Sequence, residues 1–220
     1  MTLISPTDPR ITARAFEDVA LNATPNFVIA RLKEEIFTPD DKVELLVLSV
    51  YSDVQQGGWI AKLDKTLGGA VTDAFRQPDF DAHLGQHQLI DVTDRLKAEA
   101  KKYLLVVGMG PVTAQASSYN CGLFKFALES AEKLEAQRLL LPFLPDRGKL
   151  SSLAVSGTIA VLRCRVGESV VRNRVKSLKE IRLVVSAQAE NAALRGLSSR
   201  KEAFCVPCPE PSIVTEKSAS

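Results

Sequence analysis

The chain of 220 residues carries 28 lysines and arginines against 26 aspartates and glutamates, a formal net charge of +2, with a hydrophobic content of 45%. That content supplies a core of ordinary size and excludes a disordered chain; the near balance of charge excludes a whole-molecule field able to recruit a polyanion or an anionic membrane surface, so an anion site here is local. The longest apolar runs, at 45–48 and 139–144, fall far short of the ~18 residues of a bilayer-crossing helix, and Met1-Thr2-Leu3-Ile4-Ser5-Pro6 lacks the basic-then-apolar pattern of a secretory signal, so the expected setting is cytoplasmic, with no membrane partner.

Residues 1–42 read as an N-terminal extension. Ile11, Ala15, Phe16, Val19 and Ala20 recur at helical spacing, and Phe27-Val28-Ile29-Ala30-Arg31-Leu32 alternates toward a strand, with Pro25 and Pro39 as punctuation. The expectation is one helix and an edge strand packed onto a main domain over 43–200.

That main domain opens with the nearly continuous Val- and Leu-rich run 43–51, the pattern of a strand buried on both faces. A polar loop at 53–58 follows. Ile60, Leu63, Leu67, Val71 and Phe75 then predict a helix over 60–75, which Gly68-Gly69 weakens or interrupts. Strands are predicted over 88–92 and 103–109, the second stopped by Gly108-Met109-Gly110-Pro111. Ser117 or Ser118 is placed to cap a helix reaching Ala136, the run 138–144 is the next buried strand, and Ser151 or Ser152 caps a helix through Leu162. A strand over 180–186 and a short helix over 187–197 close the domain. Strands alternating with helices predict an α/β fold, a three-layer α/β/α sandwich around a mixed or mostly parallel sheet. The stretch 201–220, rich in proline, serine and charge, is expected to be a disordered tail.

Side chains for metal or nucleophile chemistry are sparse. Cys121 and Cys164 fall inside helical patterns and read as small buried residues, and Cys205 and Cys208 form one CxxC without the further ligands that structural zinc requires. His83 and His87 are four apart, but Gly85 lies between them, in a segment that reads as a loop running into a strand. No metal site and no cofactor is expected. No GxSxG elbow is present, so nucleophilic catalysis is not expected either. Trp59, after Gly57-Gly58, reads as a core anchor or, alternatively, a partner contact.

Leu63-Asp64-Lys65-Thr66-Leu67-Gly68-Gly69-Ala70, followed by Leu104-Leu105-Val106-Val107-Gly108-Met109-Gly110, resembles the N-terminal domain of the leucyl (cytosol) aminopeptidases, a domain with a macro-domain-like fold. The similarity continues through Ala127-Leu128-Glu129-Ser130-Ala131, Leu139-Leu140-Leu141-Pro142 and the segment 181–197. In that family the catalytic chemistry belongs to a separate C-terminal domain, where Asp, Glu and Lys side chains hold two metal ions and Asn-Thr-Asp-Ala-Glu-Gly-Arg is the signature. Nothing in this sequence matches that signature, and two-metal hydrolysis needs several fixed oxygen ligands. The resemblance therefore implies a non-catalytic module that acts in ligand binding, in assembly (a homo-oligomer), or as a regulatory partner of a separate aminopeptidase catalytic chain.

The macro-domain side of the kinship implies a ligand of the nucleotide or ADP-ribose class. Gly68 and Gly69, at a helix start, are the first expected wall of its site; Asp146, Arg147 and Gly148, between a strand and a helix, are the second, and Gly108 and Gly110 extend the surface. No asparagine pair follows the first strand, so the resemblance implies no ADP-ribosyl hydrolysis. A third reading is nucleic-acid binding through the basic segment 163–182, whose Arg172, Arg174, Lys176 and Lys179 are the expected phosphate contacts. That segment lacks interleaved aromatics for base stacking.

Overall fold

A computed structural model describes residues 25–31, 36–53, 58–111, 117–143 and 152–198. Six strands form one sheet: β1 (Asn26–Arg31), β2 (Leu45–Val50), β3 (His87–Asp91), β4 (Tyr103–Gly108), β5 (Arg138–Phe143) and β6 (Glu180–Val185). Their spatial order is β1-β6-β5-β2-β4-β3, all parallel except the last pair, β3 against β4. The expected mixed α/β sheet is present. Its helices are α1 (Trp59–Thr66), α2 (Ala70–Arg76), α3 (Thr93–Leu96), α4 (Ser117–Lys133), α5 (Ser152–Val171) and α6 (Glu190–Ser198), the last preceded by a 3-10 turn at Ala187–Ala189.

Strand periodicity divides the core into two layers. Leu46, Leu48 and Val50 of β2, with Leu104 and Val106 of β4, pack against Leu63, Leu67, Val71 and Ala74 of α1, α2 and their junction. The intervening residues Leu45, Val47, Leu105 and Val107 face the other way, onto Phe124, Ala127 and Leu128 of α4 and Ile159 and Leu162 of α5. Every residue of β4 from Leu104 onward is buried, as its unbroken apolar run requires of a central parallel strand. Cys121 and Cys164 are buried in α4 and α5, and Trp59 packs half-buried against the first layer.

Local outcomes differ from the periodicity in three places. The helix predicted over 60–75 is two helices, because Gly68 and Gly69 adopt φ of 60° and 82° and reverse the chain between them. The helix predicted to reach Ala136 ends at Lys133, with Glu135 in the left-handed region at φ 54°. The next helix runs nine residues past Leu162, to Val171, because Val166 continues the apolar stripe on the core, and Arg163 and Arg165 lie within it. The edge strand expected within 27–32 is β1. The helix expected within 11–21 and the tail over 201–220 lie outside the described residues.

Two charged side chains, Lys102 and Arg163, are buried among the described residues. Lys102 is fully buried; its Nζ donates to the carbonyls of Asp41 and Val43 and lies 5.5 Å from the centre of the Phe37 ring, fastening 36–43 beneath the sheet. Burial pushes its pKa below the usual lysine value, against the opposing pull of Asp41, Glu44 and Asp40.

Candidate functional site

The parallel strands run in one direction, so the sheet has an amino edge and a carboxyl edge. From β2 the chain moves to β3 and β4 on one side; from β4 it crosses to β5 on the other side of β2 and continues outward to β6. The direction in which successive strands are added therefore reverses between the parallel neighbours β2 and β5, and open α/β sheets take ligands outside the carboxyl ends of the strands at such a point.

The carboxyl edge is built from Val50 to Asp53, Gly108 to Gly110, and the end of β5. Met109 donates its amide to the Val50 carbonyl at 2.9 Å and Ser52 to the Gly110 carbonyl at 3.0 Å, which ties the β2 and β4 exits together. Gly108 is glycine for a packing reason: a Cβ there would lie 2.2 Å from the His83 carbonyl oxygen. The 82–86 loop closes over it, with Gly110 donating to the Ala82 carbonyl at 3.0 Å, and Gly110 itself sits at φ 68°. Asp146, Arg147 and Gly148 follow β5 in sequence but lie outside the described residues.

Of the helices that begin at this edge, three flank the reversal: α1 after β2, α4 after β4 and α5 after β5. The starts of α4 and α5 are neighbours, joined by the Asn120 amide, which donates to the Thr158 hydroxyl at 3.4 Å. None of the three has an acidic residue in its first turn, and α1 follows Gly58 with no side-chain cap. By contrast α2 and α3, at the amino edge, carry Asp73 and Asp94 in theirs, and α6, which begins at the carboxyl edge after β6, carries Glu190, paired with Arg31 at 2.7 Å. A helix start without its own anion leaves amide donors and the positive end of the dipole open to a foreign one.

Gly68 and Gly69 are elsewhere. The chain descends from the β2 exit through α1, turns at these glycines on the amino edge, and climbs back through α2. Arg95 of α3, which precedes the start of β4, donates to the Gly68 carbonyl at 3.0 Å and to Asp73 at 2.9 Å. The anion cradle that this turn makes is filled from within: the Asp64 carboxylate accepts from the Val71 amide at 2.7 Å, the Thr72 amide at 3.2 Å and the Thr72 hydroxyl. The expectation that Gly68 and Gly69 form one wall of a phosphate site shared with Gly108 and Gly110 is corrected on both counts, by position and by occupancy.

The same device recurs along the amino edge. Glu44 accepts from the amides of Gln137 and Arg138 at 2.8 and 2.7 Å, and Glu132 from those of Lys176 and Ser177 at 2.8 and 3.0 Å. Asp91 accepts from the Thr93 amide at 2.9 Å. The hydrogen bonds from Thr93, with Lys101 adding to them, hold Asp91 below the usual carboxylate range. Burial works against ionisation at Glu132, yet the Lys176 and Ser177 amides and the Ser177 hydroxyl outweigh it and keep this pKa below the ordinary value of 4.5.

The basic segment also reaches this amino edge, and its charges are divided. Arg172 pairs with Glu168 at 3.1 Å, Lys179 donates to the Gln137 side chain at 3.1 Å, and Arg182 is held by Asp41 at 3.0 Å and Glu180 at 2.9 Å. Arg165 also pairs with Glu168, and Arg163 is buried and donates to the Leu197 carbonyl. Arg174 and Lys176 point to solvent. The expected phosphate contacts Arg172, Arg174, Lys176 and Lys179 thus do not present a single field of unpaired cations.

Among the described residues no group of three or more His, Cys, Asp and Glu is placed to hold a metal ion, and no helix is long and apolar enough to cross a membrane. His83 faces Asp81 at 3.2 Å, while His87 stacks on Phe126 with ring centroids 4.7 Å apart, so the two histidines do not converge. Cys205 and Cys208 lie outside the described residues.

No family model matches the chain. A curated relative, the neutral leucine aminopeptidase of tomato chloroplasts (Solanum lycopersicum), is 27% identical over 122 residues, which cover 56% of this chain and 21% of that protein. The chain thus spans about a fifth of the length of that relative. Among solved structures, a tomato leucine aminopeptidase K354E mutant superposes with a TM-score of 0.55 at 16% identity, covering 79% of this chain and 36% of the other. A Trypanosoma brucei macrodomain in complex with ADP gives 0.57 at 10% identity, covering 78% and 68%. The six-stranded mixed sheet and its flanking helices are the macrodomain fold, which this chain shares with the N-terminal domain of tomato leucine aminopeptidase.

Proposed function

We propose that this protein is a ligand-binding module that takes a nucleoside diphosphate of the ADP-ribose class at the carboxyl edge of its sheet. The observation that carries the reading is the contrast between edges: the amide nests described at the amino edge are filled by carboxylates of the chain itself, whereas α1, α4 and α5 all open toward the β2–β5 reversal without an acid in the first turn. That the T. brucei macrodomain was solved with ADP, and the Oceanobacillus iheyensis macrodomain likewise, supports the ligand class. In this reading Gly110 and the segment carrying Asp146, Arg147 and Gly148 line the diphosphate, with Arg147 supplying the counter-charge.

The module acts by binding rather than by peptide hydrolysis, since the aminopeptidase signature is absent from the sequence. Thermal melting with ADP-ribose, ADP and inorganic phosphate tests the reading: a ligand at 100 times its Kd adds ~2.7 kcal/mol, a shift of several degrees. An unchanged melting temperature at millimolar ADP-ribose and ADP would end it. The purified chain, with and without divalent metal, is expected to leave a leucyl chromogenic substrate uncleaved.

A second reading, a regulatory partner of a separate aminopeptidase catalytic chain, is favoured by the superposition on a domain that elsewhere is fused to such a chain. Co-elution of the two purified proteins as one complex tests it.

A further inference from the structure

The sheet ends at β3, and the outer backbone of that strand is not matched by another strand among the described residues. At the two ends of the β3–β4 ladder, Gly108 donates to the Gln86 carbonyl at 2.8 Å and Val92 to the Lys102 carbonyl at 2.9 Å. Even-numbered residues of β3 therefore turn their amides and carbonyls toward β4, while His87, Leu89 and Asp91 turn theirs outward. The side chains of these three stand opposite Val107, Leu105 and Tyr103, on the face that α4 covers further in, and Leu89 is 37% exposed. His87-Gln88-Leu89-Ile90-Asp91 contains no lysine, proline or glycine of the kind that blunts a free edge.

We propose that β3 is a self-association surface, at which two copies of the chain pair antiparallel about a two-fold axis at Leu89 and join their sheets into one. The strand is self-complementary in that register. Leu89 meets Leu89 of the second copy and covers it, and His87 meets Asp91 at both ends. Each outward amide then faces an outward carbonyl. A slip of one residue sets outward groups against inward ones, and a slip of two sets Leu89 against a polar residue and strands the ends. The Asp91 oxygens already accept from Thr93 and, at 3.2 Å, from Lys101, and each retains a lone pair for an imidazole. The other edge strand, β1, has no such match; its Arg31 is held by Glu190 at 2.7 Å. Pairing at β3 leaves the β2–β5 reversal open, so the surface is independent of the ligand reading.

A five-residue strand gives a small interface, which sets the association in the micromolar range. Sedimentation velocity of the full chain from about 1 to about 200 µM is expected to show a monomer-to-dimer shift. Leu89→Lys brings two ammonium groups together on the axis, and His87→Glu faces Asp91 with a second carboxylate at both ends; each is expected to weaken the dimer about tenfold or more, while His87→Lys keeps it. Melting temperatures of the variants, taken at a concentration where the wild type is monomeric, are expected to stay within ~3 °C because the positions are exposed. If Leu89→Lys fails to fold, the His87 pair of variants decides alone. A wild type that stays monomeric to ~200 µM overturns the proposal, as does a dimer indifferent to both disruptive changes. Equal loss in His87→Lys and His87→Glu overturns the register.

Discussion

Asp64 and Gly108 show how single residues decide which parts of an α/β turn are structural and which stay open. The Asp64 carboxylate occupies the amides at the start of α2, so replacing it with alanine strips a cap from two donors. The expected loss is ~1 kcal/mol, read as a lower urea midpoint at unchanged slope. ADP-ribose affinity is expected to stay as it was, since this turn is at the amino edge. At Gly108 the constraint is steric: a methyl group 2.2 Å from the His83 carbonyl oxygen has to displace the backbone of the 82–86 loop, because no flexible side chain is there to yield. Gly108→Ala is expected to cost more than ~2 kcal/mol, a large drop in melting temperature for an addition of one carbon. Both residues also mark what could be read beforehand. The Gly68-Gly69 pair announces a turn, and the turn is there; that its amides are already satisfied depends on Asp64, whose acceptor geometry exists only once the chain has reversed on itself.

At the scale of elements, the strands were legible because a buried parallel strand is a continuous apolar run, and β2, β4, β5 and β6 each match theirs within one or two residues. Helix ends were less legible, since they are set by caps and by what the last turn meets. The end of α4 is an example: Glu132, in its final turn, accepts from the Lys176 and Ser177 amides and the Ser177 hydroxyl just before β6, so a helix end and a strand start are clasped by one carboxylate. The basic segment illustrates the same point: Glu168 lies within it, four residues before Arg172, but Glu132 and Asp41 approach it only in three dimensions. Because the folded-state pKa of Glu132 lies below its ordinary 4.5, its contribution is fully present above about pH 4.5 and is lost as pH falls through the folded value. Glu132→Gln keeps an acceptor but not the charge, so it is expected to cost ~1 kcal/mol at neutral pH and less near pH 3. Urea denaturation at the two pH values checks the convergence.

For the whole molecule, the decisive fact is an asymmetry between two edges of one sheet, and it was only partly readable in advance. Topology places the carboxyl ends of β2, β4 and β5 together, which no single-sequence pattern states, although the missing acids at the starts of α1, α4 and α5 were visible in sequence throughout. An acid in the first turn of a helix stabilises the folded chain through the dipole, so its absence from all three is a cost in stability that α2, α3 and α6 do not bear. A foreign anion at that edge recovers the interaction, and this gives a test in which stability and binding move in opposite directions. Ala61, exposed in the first turn of α1, is the position for it. Ala61→Glu supplies the missing charge and is expected to raise stability by ~0.3 to 1 kcal/mol in low salt. The same carboxylate repels a diphosphate, so ADP-ribose is expected to bind about fivefold more weakly, a loss of the same ~1 kcal/mol scale. Calorimetric titration alongside urea denaturation measures both. A variant that is more stable and binds equally well would mean that the ligand does not use α1, and the site would then have to be sought at α4 and α5 alone.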